Sequence, residues 1–157
     1  STPKPSSAAS DVYKRQMVGF VAGLPFMFQM VERERQLQVP KYLRPRTDTP
    51  KLTLGHGGCF GCIYSVRGAG GYQMFGVTPA PIYDPQQQLA YLKQHMVFFR
   101  PGDIVQFKPI DRQAYDLAVA EVEAGRFDLR IREVEFSLDA FLADPVGYPT
   151  SLQEVLA

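Results

Sequence analysis

The chain holds 157 residues, with 17 lysines and arginines against 16 aspartates and glutamates and a formal net charge of +1. That length suits one domain or a piece of a larger one, and 45% hydrophobic residues exclude a wholly disordered chain. The near-neutral charge leaves no electrostatic footprint for nucleic acid. Two cysteines cannot build a disulfide framework, and 13 glycines with 13 prolines favour short strands and loops over a helix bundle.

Ser1–Gln16 (STPKPSSAASDVYKRQ) is polar, rich in small residues and without hydrophobic periodicity. It resembles a translated adaptor scar and is expected to be a non-native or disordered leader without persistent contacts to the body. Met17–Met30 is apolar but carries Gly19, Gly23 and Pro25. It is too interrupted to span a membrane or to stay helical, and reads as a buried strand end entering a structured loop. Pro40, Pro45 and Pro50 exclude a helix through VPKYLRPRTDTP and predict an extended surface path.

Strands are predicted at Lys51–Leu54, Cys62–Val66, Gln73–Val77, Ala80–Tyr83 and Asp103–Ile110, separated by joints at Gly55–Gly58, Gly68–Gly71 and Pro101–Gly102. Short strands at that spacing suggest a barrel or sandwich. Helices are predicted over Gln86–Met96 after Asp84-Pro85, over Arg112–Ala124 with Gly125 as its stop, and over Leu138–Ala143 behind Ser137. Between the last two, Phe127, Leu129 and Ile131 alternate as a strand does, and Ser151 with Glu154 has the spacing of a capping box.

The densest local signal is LGHGGCFGCIY, Leu54–Tyr64. Its glycines either let backbone amides approach a ligand or simply make tight turns, and spacing leaves both readings open. Tyr72 and Gln73, after the second glycine joint, supply a ring, a hydroxyl and an amide suited to a ureido or amide group. His56, Cys59 and Cys62 stand three apart, yet no fourth ligand follows, so they are expected to be core and loop residues without a metal. Arg44 and Arg46 flank Pro45 and suit either a carboxylate clamp or a surface ion pair. The acidic residues from Asp116 to Glu135 read as solvated surface. No Gly-x-Ser-x-Gly elbow occurs, and no catalytic residue is assigned.

At five ordered motifs the chain resembles a known family. GFVAGLPF (Gly19–Phe26), PRTDTP (Pro45–Pro50), GHGGCFGCIY (Gly55–Tyr64), GGYQMFGVTP (Gly70–Pro79) and FFRPGDIVQFKPI (Phe98–Ile110) are similar to the subunit 1-type carboxyltransferase domain. That superfamily includes urea amidolyase, allophanate hydrolase subunit 1 and the B component of 5-oxoprolinase. The ending GRFDLRIREVEFSLDAF (Gly125–Phe141) and the apolar Cys59–Ile63 stretch resemble the biotin-dependent urea carboxylase-like branch most.

The resemblance implies a mainly β, α+β fold: a cyclophilin-like β-barrel lobe with C-terminal helices, the N-terminal α/β lobe largely missing. With the leader over 1–16 set aside, it implies the carboxyltransferase domain over 17–144 and a tail over 145–157. It further implies a cytoplasmic enzyme component, inactive alone, that moves CO2 from carboxybiotin to an amide nitrogen. Biotin would be carried on another domain and ATP used by another, with nothing bound by this piece itself.

The implied partners are a second carboxyltransferase subunit or domain, biotin carboxylase and biotin carrier domains, and a small amide substrate, with no nucleic acid and no membrane. The implied substrate-binding residues are Gly57, Gly58, Tyr72, Gln73, Phe20, Pro25 and Arg46. The relatives leave two alternatives: a component of an ATP-dependent hydrolase of the 5-oxoprolinase type, and a kinase-inhibitor-like binding module.

Overall fold

The computed structural model describes residues 12–155. Six antiparallel strands lie in the order β7-β4-β5-β2-β1-β8. They are β1 (Val12–Val18), β2 (Pro25–Gln29), β4 (Thr53–Gly57), β5 (Phe60–Ile63), β7 (Gln73–Val77) and β8 (Ile104–Gln106). A separate two-stranded ribbon pairs β3 (Arg46–Thr49) with β6 (Gly68–Gly70). The mainly β class expected from the sequence holds. Among the described residues, however, β7 and β8 remain the sheet edges, so the sheet is open and no barrel closes.

Alternation along the strands splits the interior into two clusters. Tyr13, Met27, Leu54, Ile63 and Ile82 form one, with Phe98, Phe99, Val105 and Phe107 packed against it. Leu24, Cys62, Tyr64 and Tyr72 form the other, flanked by Val21, Phe26 and Phe60. Neighbouring Cys62 and Ile63 thus face opposite ways, and the second cluster is the one that shapes the site below.

The last residues of the expected leader, from Val12 on, lie in β1. Val12–Val18 runs between β2 and β8, with Tyr13 opposite both Gln29 and Val105 and 0% exposed. The sheet supplies backbone partners on both sides of this segment, a non-local effect that local polarity hides. The rest of the expected leader, residues 1–11, lies outside the described residues.

Other boundaries also move. Gly55–Gly57 and Gly68–Gly70 are strand, not turn; at Gly55, Gly57 and Gly70, aromatic rings fill the room that the missing side chains leave. Ala80–Tyr83 makes only a single bridge, from Tyr83 to Val97. The Gln86–Met96 helix shrinks to one 3-10 turn at Ala90–Leu92. There the Asp84 carboxylate accepts the amides of Gln86, Gln88 and Leu89 at 3.0, 2.7 and 2.9 Å, a local competitor to helical bonding.

The C-terminal helices follow their caps. α1 (Arg112–Glu123) starts at Asp111, whose carboxylate accepts from Ala114 N at 2.8 Å, and stops before Gly125 at φ +68°. α2 (Leu138–Ala143) starts at Ser137, whose hydroxyl accepts from Ala140 N at 3.1 Å. The expected Ser151–Glu154 capping box is replaced by α3 (Gly147–Glu154), which contains both residues and is entered through Asp144, acceptor for Gly147 N at 2.8 Å. The strand expected around Phe127, Leu129 and Ile131 does not form: the segment has no regular secondary structure, and Phe127 N donates back to Glu121 O at 3.1 Å.

Candidate functional site

The chain between β1 and β2 must reverse over Gly19–Leu24. Val21 N donates to Gly19 O at 2.8 Å, and Phe20 takes the apex at φ +70°. A positive φ is costly for a phenylalanine, yet Phe20 is 70% exposed, so its own packing does not explain the strain. Gly23, at φ +73°, closes the turn against Tyr83, where a Cβ would stand 2.8 Å from the tyrosine Cβ.

This turn is one side of a groove of about 220 Å3, lined by Phe20, Leu24, Phe26, Lys41, Cys62, Tyr64 and the Gly70–Tyr72 segment. The opposite side is held by a strap through Pro40–Tyr42. Tyr42 N donates to Gly71 O at 2.9 Å, and Gln73 Nε2 donates to Pro40 O at 3.1 Å. The strap places Lys41 Nζ 5.2 Å from the centre of the Tyr72 ring, a cation facing an aromatic wall. Phe26 meets Tyr72 edge-on at 6.2 Å, and Tyr72 N donates to the Tyr64 hydroxyl at 3.4 Å.

Burial keeps these groups neutral. It pushes the Cys62 thiol and the Tyr72 phenol up to about 12, and raises Tyr64 as well. The groove therefore offers apolar walls, neutral hydroxyls and one lysine ammonium. It can hold a flat ring and donate to a partly negative oxygen, and among the described residues its lining contains no carboxylate to serve as a general base.

Of the residues expected at the site, Phe20 and Tyr72 line the groove. Gly57 lies directly beneath the Tyr72 ring. Gly58 does not offer a free amide: its N donates to Val39 O at 2.7 Å, so it anchors the approach to the strap. The Gln73 side-chain amide gives one N–H to Pro40 O. Pro25 is fully buried at the start of β2 and stays out of the lining.

Arg46 sits beside the groove, opposite Gly70 in the β3–β6 ribbon, while Arg44 is exposed. His56 is 2% exposed on the other face of β4, near Tyr13, and among the described residues no three histidine, cysteine or acidic side chains gather. Sequence reasoning missed Lys41, Leu24 and Tyr64. The proline spacing around Lys41 gave only an extended surface path, not the bonds that hold it to Gly71 and Gln73.

The chain is 32% identical over 120 residues to the urea amidolyase of Lachancea kluyveri, a match covering 76% of this chain and 6% of that protein. It is 32% identical over 103 residues to the B component of 5-oxoprolinase from Bacillus subtilis, covering 66% and 39%. The chain thus spans well under half of either relative. The solved urea carboxylase of Kluyveromyces lactis superposes with a TM-score of 0.70 at 22% identity, over 95% of this chain and 14% of that one, a likeness of fold. No helix among the described residues is long and apolar enough to cross a membrane. Residues 6–92, more than half of the chain, match the family described as carboxyltransferase domain, subdomains C and D, and the chain belongs to that family.

Proposed function

We propose that this chain is part of the carboxyltransferase component of a biotin-dependent urea carboxylase- or amidolyase-like enzyme, and that its groove receives the reacting ring or amide. The observation that carries this reading is a groove walled by Phe20, Phe26 and Tyr72 and bounded by Lys41, all within the stretch that matches the family. The alignment with a urea amidolyase reaches over 76% of the chain, against 66% for the 5-oxoprolinase component, which favours the carboxylase branch.

The residues fit a ureido ring. Phe20 and Tyr72 supply faces for a flat heterocycle, while Lys41 and the Tyr64 hydroxyl suit an oxygen that gains negative charge. Carboxybiotin, delivered by another domain, supplies the CO2. The chain's own part is to exclude water with its apolar walls, to orient the acceptor nitrogen and to stabilise charge. The partners in this reading are a second carboxyltransferase unit, biotin carboxylase and biotin carrier domains, and a small amide.

The test is biotin dependence of the complete enzyme. Avidin is expected to abolish ATP-dependent carboxylation of urea or a related amide. An avidin-resistant, ATP-dependent opening of 5-oxoproline would favour the 5-oxoprolinase reading instead.

A further inference from the structure

From Glu133 onward the chain carries five carboxylates, Glu133, Glu135, Asp139, Asp144 and Glu154, and no lysine, arginine or histidine. None of the three ion pairs found among the described residues includes any of the five. This stretch folds as a helical hairpin of α2 and α3, and rings close its inner side. Phe136 meets Phe141 at 6.4 Å and Tyr148 at 5.9 Å. The Tyr148 hydroxyl accepts from Ser137 N at 2.8 Å and donates to Glu135 O at 3.3 Å, which ties the entry of α2 to α3. Lys14 Nζ, reaching from β1, lies 3.3 Å from the centre of the Phe136 ring and joins the hairpin to the sheet.

The outer side has no such cover. Leu138, Leu142 and Val146 are each more than half exposed. Leu138 and Leu142 stand one turn apart on the same face of α2. An apolar stripe among carboxylates, held in shape by its aromatic backing and left bare outside, has the apolar centre and charged rim of a docking surface. Charge decides the occupant. A second copy set face to face would oppose carboxylates to carboxylates with no base between them. A partner with lysines or arginines around apolar anchors satisfies both parts of the surface.

We propose that the outer face of the α2–α3 hairpin docks a basic, apolar surface of another domain of the complete enzyme. The fold likeness to urea carboxylase runs over 95% of this chain, which takes in most of the hairpin, and over 14% of that one. An enzyme of that build therefore has ample surface outside this piece to supply the partner. The idea rests on the chain working inside such an enzyme, and it adds where the chain is held and by what chemistry. The described lining of the groove contains no hairpin residue, so docking here leaves the groove open. The ring cluster fixes the hairpin in advance, so docking orders little that is not already ordered.

The test compares the chain alone with the complete enzyme, by hydroxyl-radical footprinting and by cross-linking with a carbodiimide, which joins a carboxylate to a lysine in contact. Leu138 and Leu142 are expected to oxidise several-fold more slowly in the complete enzyme. Glu135, Asp139 or Asp144 should form links to lysines of another domain. Leu142→Lys should leave the thermal midpoint of the chain alone unchanged, because the site is exposed, and lower the yield of those links about ten-fold. Equal oxidation in both samples, links only within this chain or to a second copy of it, or undiminished links in a folded Leu142→Lys enzyme would each overturn the proposal. Should Leu142→Lys not fold, the wild-type footprint and links decide. Neither readout uses biotin or carboxyl transfer. A covered hairpin in an enzyme that transfers no CO2 would keep this docking face and remove the proposed function, and transfer with the hairpin bare would do the reverse.

Discussion

The ring of Tyr72 occupies the space that a side chain at Gly57 would need, with its Cε1 2.7 Å from where a Cβ would stand. One wall of the groove therefore depends on the absence of a side chain on the neighbouring strand. Gly57→Ala is expected to displace the ring and cost about 1–3 kcal/mol, as overpacking does. Gly58→Ala meets open space but keeps φ at +59°, so its cost of about 1–2 kcal/mol comes from backbone strain alone. Urea unfolding measures both costs, and near-ultraviolet circular dichroism separates the causes, since only the first should alter the tyrosine signal.

Tyr13 gives a second prediction. It is 0% exposed and sits between β2 and β8, so Tyr13→Ala should cost about 3–5 kcal/mol, the range for emptying a large aromatic site. Deleting residues 1–16 should be worse still, because it leaves β2 without most of one partner and β8 without the one strand it pairs with among the described residues. A thermal midpoint unchanged by that deletion would return this segment to the status of a dispensable leader.

His56 predicts the acid response. Burial lowers its pKa from 6.5 to about 4, and neither ring nitrogen has a hydrogen-bond partner among the described residues. The folded protein therefore resists a proton that the unfolded chain accepts. The contribution is fully present above pH 6.5 and is lost as pH falls towards 4, amounting to about 3 kcal/mol across that window. His56→Leu should flatten the stability profile between pH 6.5 and 4 while leaving its fall below pH 4 to the carboxylates. An unchanged slope would show that His56 is protonated or solvated in the folded state.

The thiols should separate cleanly. Cys62 is 2% exposed, and burial holds its thiol at about 12, whereas Cys59 is partly exposed. A disulfide reagent at neutral pH is expected to titrate one thiol in the native chain and both after unfolding. Rapid labelling of two would place Cys62 outside the core.

Local grammar makes part of this fold readable. Gln73–Val77 is legible from its place after the second glycine joint, α1 from its Gly125 stop and α2 from its capping residue Ser137. Long-range pairing stays hidden. Glycines look alike whether they turn a chain or make room for a ring, so Gly55, Gly57 and Gly70 read as joints in the sequence, and only the packing of Tyr64 and Tyr72 against them shows otherwise. The same holds for the site. Phe20 and Tyr72 lie within recognisable motifs, but Lys41 enters only because Gly71 and Gln73 bind its neighbours, contacts 29 and 33 residues distant in the chain for Tyr42 and Pro40.

The groove is the centre of the proposed function, and Phe20 tests it most directly, since its exposed ring and positive φ serve no purpose in packing. Phe20→Gly should relieve about 1–2 kcal/mol of backbone strain and so keep or raise the thermal midpoint. The decisive measurement is the rate of carboxyl transfer by the complete enzyme carrying this substitution, beside its rate of ATP-dependent biotin carboxylation. A groove that binds the reacting group predicts transfer at least ten-fold slower with biotin carboxylation unchanged. Transfer at the wild-type rate would contradict it.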